Sequence, residues 1–486
     1  SLHIKIADES VCLDAMGTTA YLDIENIISI AKDTNCDALH PGYGFLAENS
    51  RLASECLSHN ITFIGPNENL LELFGDKAKA RQAATKAGVP VVLGTNKSST
   101  LKECEDFFKS LGNNAAVMIK ALAGGGGRGT RVVTDLKDLK DAYSRCQSEA
   151  KNAFGNAELY IEELIQAARH IEVQILGDTK GNIVAIGDRE CSVQRRHQKI
   201  IEIAPSSNLP ERTRQAITAA AKTLAKDVGY FSLGTFEFLV DTKSKNQEKF
   251  AFIEANARLQ VEHTVTEQVT GVDLVQSQIE IANGKTLQDL NLSETPESRG
   301  VAIQARVNME SLQGDGSVKP TTGEITAYDP PSGPGVRVDG FGYTGFFPST
   351  NYDSLLAKVI VHSPKSSLEE AAKKCARALS EFRIEGLDTN IPFLRSVLKN
   401  QDFLNSAVTT RWIDDHAISL IEKSEFDVRH IASEYKNQLA SGLAGAQVDS
   451  SDPLAVFAYD KGSDRKSKKK VKQNFDLSGP NGSIAV

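Results

Sequence analysis

Apolar positions recur along the chain in two periods, and the switches between them mark its elements. Ile24 to Ala31 and Ser50 to Leu57 follow a helical period, while Asp37-Ala38-Leu39 and Ile61 to Ile64 are short apolar runs of strand type. That alternation predicts α/β units over residues 1–66. Asn67 to Gly88 reads as one basic helical stretch that stops at Gly88-Val89-Pro90. Residues 116–134 read as strand, glycine loop, strand, and Tyr160 to Ile165, Ile171 to Leu176 and Ile183 to Ile186 as further strands. Asn208 to Tyr230 is an amphipathic helix with Pro210 in its first turn and Ile217, Ala221, Leu224 and Val228 on one face. "GTFEFLV" (234–240) and "KFAFIEAN" (249–256), joined by a polar stretch, predict a hairpin. From Gly300 to Leu355 the mixture of β-branched residues, Gly and Pro predicts strands and turns. Ser367 to Phe382 predicts a helix opened by a capping box of Ser367 and Glu370. After residue 447 the pattern decays, and the basic run Arg465 to Lys472 reads as a solvated linker.

Bulk composition narrows this picture only a little. The 486 residues are enough for several domains, with 40% hydrophobic and 24% charged residues and a mean hydropathy of −0.27. No apolar run approaches a membrane span, and a net charge of −8 argues against nucleic acid as the main partner. Seven scattered cysteines form no CxxC pair, which disfavours a disulfide framework or structural zinc and fits a reducing compartment.

The loop "AVMIKALAGGGGRGTRV" (116–132) poses the first chemical question. Gly124, Gly126 and Gly129 match GxGxxG, but the dinucleotide reading needs a helix next, and "TRVVTD" is strand-like. The loop lacks the Gly-Lys-Ser/Thr of a Walker A motif, and the chain has no HRD or DFG of a kinase. What remains is a flap between antiparallel strands whose backbone N–H groups could cover phosphates, with Lys120 adding charge. The alternative is a surface turn beside an ordinary surface lysine.

The hairpin supplies the second clue. Thr235, Glu237 and Leu239 are expected on one face, and Phe252, Glu254 and Asn256 on one face. A turn centred near residue 245 sets Glu237 almost opposite Glu254. Two facing carboxylates repel unless a cation lies between them, and with the Asn256 amide they suit Mg²⁺ or Mn²⁺ held with nucleotide phosphates. The alternative is a pair of surface glutamates. Just downstream, Arg258, Gln260 and Glu262 cluster, where an arginine could hold a small oxyanion and Glu262 act as its base. "RECSVQRRHQK" (189–199) is dense in donors but could equally be a solvated basic face. Cys191 and His170, taken singly, read as core residues, and Arg337 in "GVRVDG" as a surface arginine.

Taken together and in this order, the motifs resemble the biotin carboxylase family, an ATP-grasp fold, over roughly residues 1–440. The carriers are "HPGYGFLAEN" (40–49), "GDKAKAR" (75–81), "IKALAGGGGRGT" (119–130), "RECSVQRRHQK", "EANARLQVEHTVTE" (254–267) and "YDSLLAKVI" (352–360). The resemblance implies an α/β and α+β chain: an N-terminal α/β domain over 1–66, lacking its first strand and helix, and an ATP-grasp domain over 67–290. The latter includes a glycine-flap lid at about 92–166. A β-rich C-terminal domain over 291–408, a helical extension over 409–447 and a linker toward a biotinyl carrier domain over 448–486 complete it. It implies a ligase in which ATP phosphorylates bicarbonate to carboxyphosphate and biotin, carried on another domain, is carboxylated.

By motif position, Lys77 and Lys120 look like the phosphate lysines, with Gly125, Gly126 and Gly127 in the flap. Glu162 looks like the end of the adenine-side strand, backbone groups of Glu163 and Ile165 like an adenine hinge, and His170, Gln194, His197 and Lys199 like further nucleotide and phosphate contacts. Glu237, Glu254 and Asn256 match metal ligands; Arg258, Gln260 and Val261 match a bicarbonate site; Glu262 matches its base. Arg337 matches the group that stabilises the biotin enolate, with Tyr43 and Phe45 lining the biotin approach. The implied partners are a biotinyl carrier and a carboxyltransferase domain beyond Val486, in an oligomer, without nucleic acid or membrane, in the cytoplasm or mitochondrial matrix. No Met-Lys pair of the biotinylated type occurs, so these residues are expected to carry no biotin themselves. Thr264 stands where acyl-CoA-type members often carry Pro and pyruvate-type members Thr, which alone does not fix the carboxyl acceptor. Two other readings stay open: another ATP-grasp ligase, of carbamoyl-phosphate type, and a catalytically silent nucleotide-binding assembly module.

Overall fold

The computed structural model describes residues 2–13, 17–95, 97–112, 115–122 and 129–424. Gly125, Gly126 and Gly127, the later part of the expected helical extension and the expected linker lie outside the described residues. At the N-terminal end, α1 (Ile24–Asp33) and α2 (Ser50–Ser58) pack beside a two-stranded parallel ladder of β1 (Ala38–Leu39) and β2 (Thr62–Phe63). Asp23 and Asn49 cap the two helices by accepting N–H bonds from Asn26 and Leu52.

The basic stretch after residue 67 is two helices, not one: α3 (Glu68–Gly75) and α4 (Lys77–Lys86). Asp76 divides them. Its backbone is extended, and its carboxylate accepts from the N–H groups of Ala78 and Lys79 at 2.9 and 3.1 Å. This cap sets Lys77 at the first position of α4, facing the large sheet described below.

The lid region packs α5 (Leu101–Ser110) and α6 (Leu139–Phe154) on a three-stranded antiparallel sheet of β3 (Val117–Ala121), β4 (Thr130–Val133) and β5 (Leu159–Glu163), in the order β4-β3-β5. Lys120 pairs with Thr130, so the glycine-rich segment joins neighbouring strands as the sequence predicts.

One eight-stranded antiparallel sheet holds the rest together. Its strands are β6 (Ala168–Gly177), β7 (Ile183–Arg195), β8 (Gln198–Ala204), β9 (Ser232–Asp241), β10 (Phe250–Asn256) and β11 (Val301–Asn308), with β15 and β16 below. Helix α7 (Glu211–Asp227) lies on one face, beginning after Pro210, which is its N-cap rather than part of its first turn. Helices α8 (His263–Thr270) and α9 (Leu274–Ala282) follow β10. After β11 come the small ladder of β12 (Glu310–Leu312) and β13 (Val318–Pro320), then β14 (Ala327–Asp329), β15 (Val336–Gly340) and β16 (Leu355–Ser363). Helix α10 (Leu368–Glu381), strand β17 (Arg383–Glu385), which pairs with β14, and helices α11 (Ile391–Leu398) and α12 (Gln401–Leu404) precede a last helical stretch at 412–424. Ser367 caps α10 through the Glu370 N–H at 3.3 Å, but the Glu370 carboxylate pairs with Lys365 at 3.0 Å, so only half of the expected capping box forms.

The sheet order is β10-β9-β6-β7-β8-β11-β16-β15, so strands far apart in sequence become neighbours. Ile171, Val173 and Ile175 of β6 pack against Ile217, Ala221 and Leu224 of α7, together with Phe236, Phe238 and Phe252. Strand alternation therefore turns His170, Glu172 and Gln174 to the opposite face. Among the described residues no helix is long and apolar enough to cross a membrane.

Candidate functional site

Every strand of the large sheet contributes polar side chains to the face away from α7. Along the sheet these include Glu254 and Asn256 (β10), Glu237 (β9), His170 and Glu172 (β6), Arg189 and Gln194 (β7), Lys199 and Glu202 (β8), Arg306 (β11), Lys358 (β16) and Arg337 and Asp339 (β15). Many are buried: Glu172, Arg189 and Glu202 are 0% exposed, and Glu237 and Glu262 2%. Buried charge is tolerated only where it is paired.

Lys199 is the hub. Its ammonium reaches three carboxylates: Glu172, Glu237 at 3.1 Å and Glu262 at 2.8 Å. Burial disfavours its charge, but these carboxylates outweigh burial and hold its pKa well above the ordinary lysine value. The carboxylates split in response. Burial opposes ionisation of Glu237, yet Lys199 and His170 pull it well below the usual range. Burial likewise opposes ionisation of Glu262, but Lys199 and Arg306 hold it low. Glu172 goes the other way, raised by burial beyond what Lys199 offsets. His170 Nε2 lies 2.7 Å from Glu237 Oε2, in a geometry that is an ion pair rather than an aligned hydrogen bond. Burial works against an imidazolium there, but the Glu237 carboxylate prevails and raises His170 above its usual value. Gln194 contacts His170 Nδ1 at 2.7 Å and donates to the Cys191 carbonyl at 2.8 Å. Cys191 is a buried thiol with its pKa raised by burial, in keeping with a core role.

The hairpin register is as the turn position predicts: Glu254 pairs with Glu237 and Asn256 with Thr235. One expectation fails. The ladder shifts between Phe252 and Glu254, a β-bulge at Ile253 that reverses the alternation. Phe252 therefore packs in the core with Phe236 and Phe238 and does not share the face of Glu254 and Asn256. Asn256 Nδ2 donates to Glu237 Oε1 at 2.6 Å. Glu254 is compensated by Lys77 at 3.1 Å, and that carboxylate, ahead of the opposing effect of burial, raises the Lys77 pKa.

On the lid side, Lys120 pairs with Glu162, which Arg81 also reaches at 3.3 Å. The Glu163 N–H donates to the Leu93 carbonyl at 2.8 Å, so that half of the expected hinge is already used within the fold. Ile165 is buried with Val92, Ala168 and Ala251. Arg196 and His197 form the β7–β8 turn with φ of 48° and 65°, a left-handed conformation uncommon for such residues. Partial burial lowers the His197 pKa, and Lys120 is close enough to lower it further.

The segment between β10 and α8 carries Arg258, Gln260, Val261 and Glu262. Arg258 reaches Glu48 at 3.0 Å and donates to Asn256 Oδ1 at 3.0 Å. Gln260 donates to Glu237 Oε1 at 2.9 Å and accepts from Arg189 at 2.8 Å. Glu262 bridges Lys199 and Arg306, the latter at 3.0 Å. Arg306 also pairs with Glu202. Arg337, by contrast, spends its guanidinium on Asp339 (2.7 and 2.9 Å) and on Glu267 of α8 (2.7 Å). The arginine that the structure brings to Glu262 is thus Arg306, not Arg337. Tyr43 is close enough to Arg306 and Asp339 for their charges to act on its hydroxyl, whose pKa burial raises. Phe45 stacks on Tyr21 at 4.9 Å and remains 54% exposed.

Glu172, Glu202, Arg306, Asp339 and Lys358 are the members that the sequence does not single out; Arg189 belongs to the donor-dense segment 189–199. The available signal was polar alternation inside otherwise apolar strands, "RHIEVQ" and "IQARV". The donor set of Glu237, Glu254 and Asn256 Oδ1 fits a hard divalent cation: all are oxygens, and each carboxylate is now balanced by a basic side chain. Donor atoms of His170, Glu172 and Glu237 also lie within 4.8 Å of one another, with the Lys199 ammonium bonded to both glutamates.

Three family models match successive parts of the chain: the biotin carboxylase N-terminal domain over 1–71, the carbamoyl-phosphate synthase L chain ATP-binding domain over 76–290, and the biotin carboxylase C-terminal domain over 304–415. The chain is 49% identical over 402 residues to pyruvate carboxylase of Bacillus subtilis, covering 81% of this chain and 34% of that protein. It is 46% identical over 420 residues to the mitochondrial pyruvate carboxylase of Homo sapiens, covering 85% and 35%. It therefore spans about a third of the length of these curated relatives. Among solved structures it is similar to the biotin carboxylase domain dimer of Hydrogenobacter thermophilus 2-oxoglutarate carboxylase in complex with MgADP, ADP and bicarbonate. That match has a TM-score of 0.80 and 39% identity over 86% of this chain and 90% of that one. The biotin carboxylase subunit of a pyruvate carboxylase matches with a TM-score of 0.70 and 39% identity, over 86% and 90%.

Proposed function

The chain belongs to the biotin carboxylase family of ATP-grasp ligases, and on that premise we propose that it uses ATP and bicarbonate to carboxylate biotin carried on another domain. The observation that carries the reading is the continuous charged row from Lys77 and Glu254 through Glu237, Lys199 and Glu262 to Arg306. One end of it can hold a nucleotide and the other a small carboxylate-like anion. Lys77, Lys120, His170, Gln194 and His197 serve the phosphate side. Glu237, Glu254 and Asn256 would hold Mg²⁺ or Mn²⁺, which when bound neutralises charge on the phosphates. Arg258, with Gln260 and Val261, positions bicarbonate, and Glu262 takes its proton. The backbone of Ile165 and the carbonyl of Glu163 face the adenine, and Tyr43 and Phe45 the biotin.

The resting geometry adds a condition. Glu262 is held low by two cations, so it is a weak base until one of them turns to the incoming substrate. Arg306 can do so while remaining on Glu202, whereas Lys199 is already shared between Glu172 and Glu237 as well. In this proposal the role that the resemblance gives to Arg337 passes to Arg306. Arg306→Lys keeps the charge but loses the planar fork, and is expected to lower the biotin-dependent rate roughly tenfold. Arg337→Lys should change it by less than about threefold at saturating bicarbonate, since Arg337 is spent on Asp339 and Glu267 and does not touch Glu262. Measuring both on free biotin checks the exchange, and the reverse ranking would restore Arg337.

The names of the curated relatives favour pyruvate as the final acceptor, and that of the human one a mitochondrial setting. We further propose carrier and carboxyltransferase domains in the same polypeptide, in an oligomer of the cytoplasm or the mitochondrial matrix. The function is tested by ATP cleavage with and without bicarbonate, free biotin and ammonia. Bicarbonate dependence stimulated by biotin supports the proposal. A requirement for ammonia would replace it with a carbamoyl-phosphate-type ligase, and no turnover with nucleotide still bound would favour an assembly module.

A further inference from the structure

The stretch from Ala257 to Glu262 has no ladder or helix to fix it, yet it carries the residues assigned to bicarbonate. Side chains hold it instead, one carbonyl after another. Arg258 donates to the Leu259 carbonyl at 3.2 Å, His263 Nδ1 to the Gln260 carbonyl at 2.6 Å, and Lys358 Nζ to the Val261 carbonyl at 3.0 Å. The first two belong to the stretch or adjoin it, so they can move with it. Lys358 comes from β16, a strand in the body of the sheet.

We infer that Lys358 is a positioning residue for bicarbonate, fixing the peptide between Val261 and Glu262 from the rigid sheet. A peptide unit is planar, so holding the Val261 carbonyl also sets the direction of the Glu262 N–H and the base of the Glu262 side chain. The inference rests on the bicarbonate reading of this segment given above. Lys358 is 5% exposed, and its second contact is Asp339 at 3.3 Å. Asp339 is in turn gripped by Nε and Nη2 of Arg337, whose Nη1 holds Glu267 on α8. Arg337, Asp339 and Lys358 thus clamp both the carbonyl before Glu262 and the helix after it. Burial lowers the Lys358 pKa against the support of Asp339, as expected of an ammonium kept inside to serve a fixed contact. The same ammonium adds to burial in lowering His263 to about 4, which keeps that ring neutral and able to donate to Gln260.

Lys358→Met retains the packing stem and removes the donor. The expected result is a bicarbonate KM raised about tenfold, with ADP affinity by titration and the ATP KM within about twofold of wild type. Lys358→Arg should recover part of the loss. Equal loss of nucleotide affinity, or an unchanged bicarbonate KM in folded Lys358→Met, overturns the inference. If that variant does not fold, Lys358→Arg carries the test: its bicarbonate KM must move at least about twofold with ADP affinity fixed, and no movement overturns the inference. Wild-type protein without bicarbonate-dependent ATP cleavage would instead sink the functional reading beneath it.

Discussion

Glu262→Gln is expected to reduce bicarbonate-dependent ATP cleavage by a factor on the order of 10² to 10⁴, the usual contribution of a positioned general base. Glutamine has nearly the same shape but cannot accept the proton. It still offers an oxygen to Lys199 or Arg306, each of which keeps its other carboxylates, so the cluster remains balanced. Nucleotide affinity should therefore change little, because the contacts that hold Lys77, Lys120 and His170 do not include Glu262, and Lys199, which does touch it, stays held by Glu172 and Glu237. Phosphate release against bicarbonate concentration, with ADP titration alongside, reads both quantities. A kcat within about tenfold of wild type would remove Glu262 from proton transfer. A parallel loss of ADP affinity would make it a structural member of the cluster instead. The pH profile gives a second handle: since Glu262 is held low in the resting state, bicarbonate turnover should not fall near the ordinary carboxylate pKa for want of its ionisation.

How much of this site could be read from the chain depends on the range of each interaction. The facing of Glu237 and Glu254 was legible because a hairpin is local, and the position of its turn fixes the register. The bulge at Ile253 left only a faint trace: in "KFAFIEAN" the even positions change from Phe250 and Phe252 to Glu254 and Asn256, a phase change that an extra residue explains but that the local pattern does not by itself require. The break at Asp76 was available: Gly75 followed by Asp76 is a stop and a cap in succession. Arg306 illustrates the deeper limit. "VAIQARVN" looks like a strand with one wet face, and only the pairing of β11 beside β8 turns that face inward onto Glu202 and Glu262. Arg337 shows the converse, since a motif match could suggest its chemistry but not its partners, and those partners are Asp339 and Glu267. Long-range strand order thus decides which polar residues meet, and local pattern does not encode it.

Lys199→Met tests whether the buried cluster stands as a unit. Removing this one ammonium leaves Glu172, Glu237 and Glu262 together inside the protein with less positive charge than they need. Breaking a buried ion pair by deleting one partner commonly costs about 3–5 kcal/mol, and here one cation serves three anions. Turnover should become undetectable and the midpoint of thermal unfolding should fall by several degrees. The loss should be partly absorbed by protons. Lys199 opposes the charge on His170, so its removal lets the imidazolium form more readily beside Glu237, and Glu172, already raised, takes a proton first. Titration of the His170 ring by proton NMR should therefore show its pKa higher in the variant than in wild type. The sign for stability follows: Lys199 is raised in the fold, so the stability it confers is complete below the unfolded lysine pKa and is lost as pH climbs through the folded one. Through Lys199 itself the gap between wild type and Lys199→Met should close only in strong alkali, while the protons that Glu172 and His170 take up in the variant should narrow it as pH falls. A stable variant with an unshifted His170 would mean that the carboxylates do not depend on Lys199, and the charged row would lose its centre.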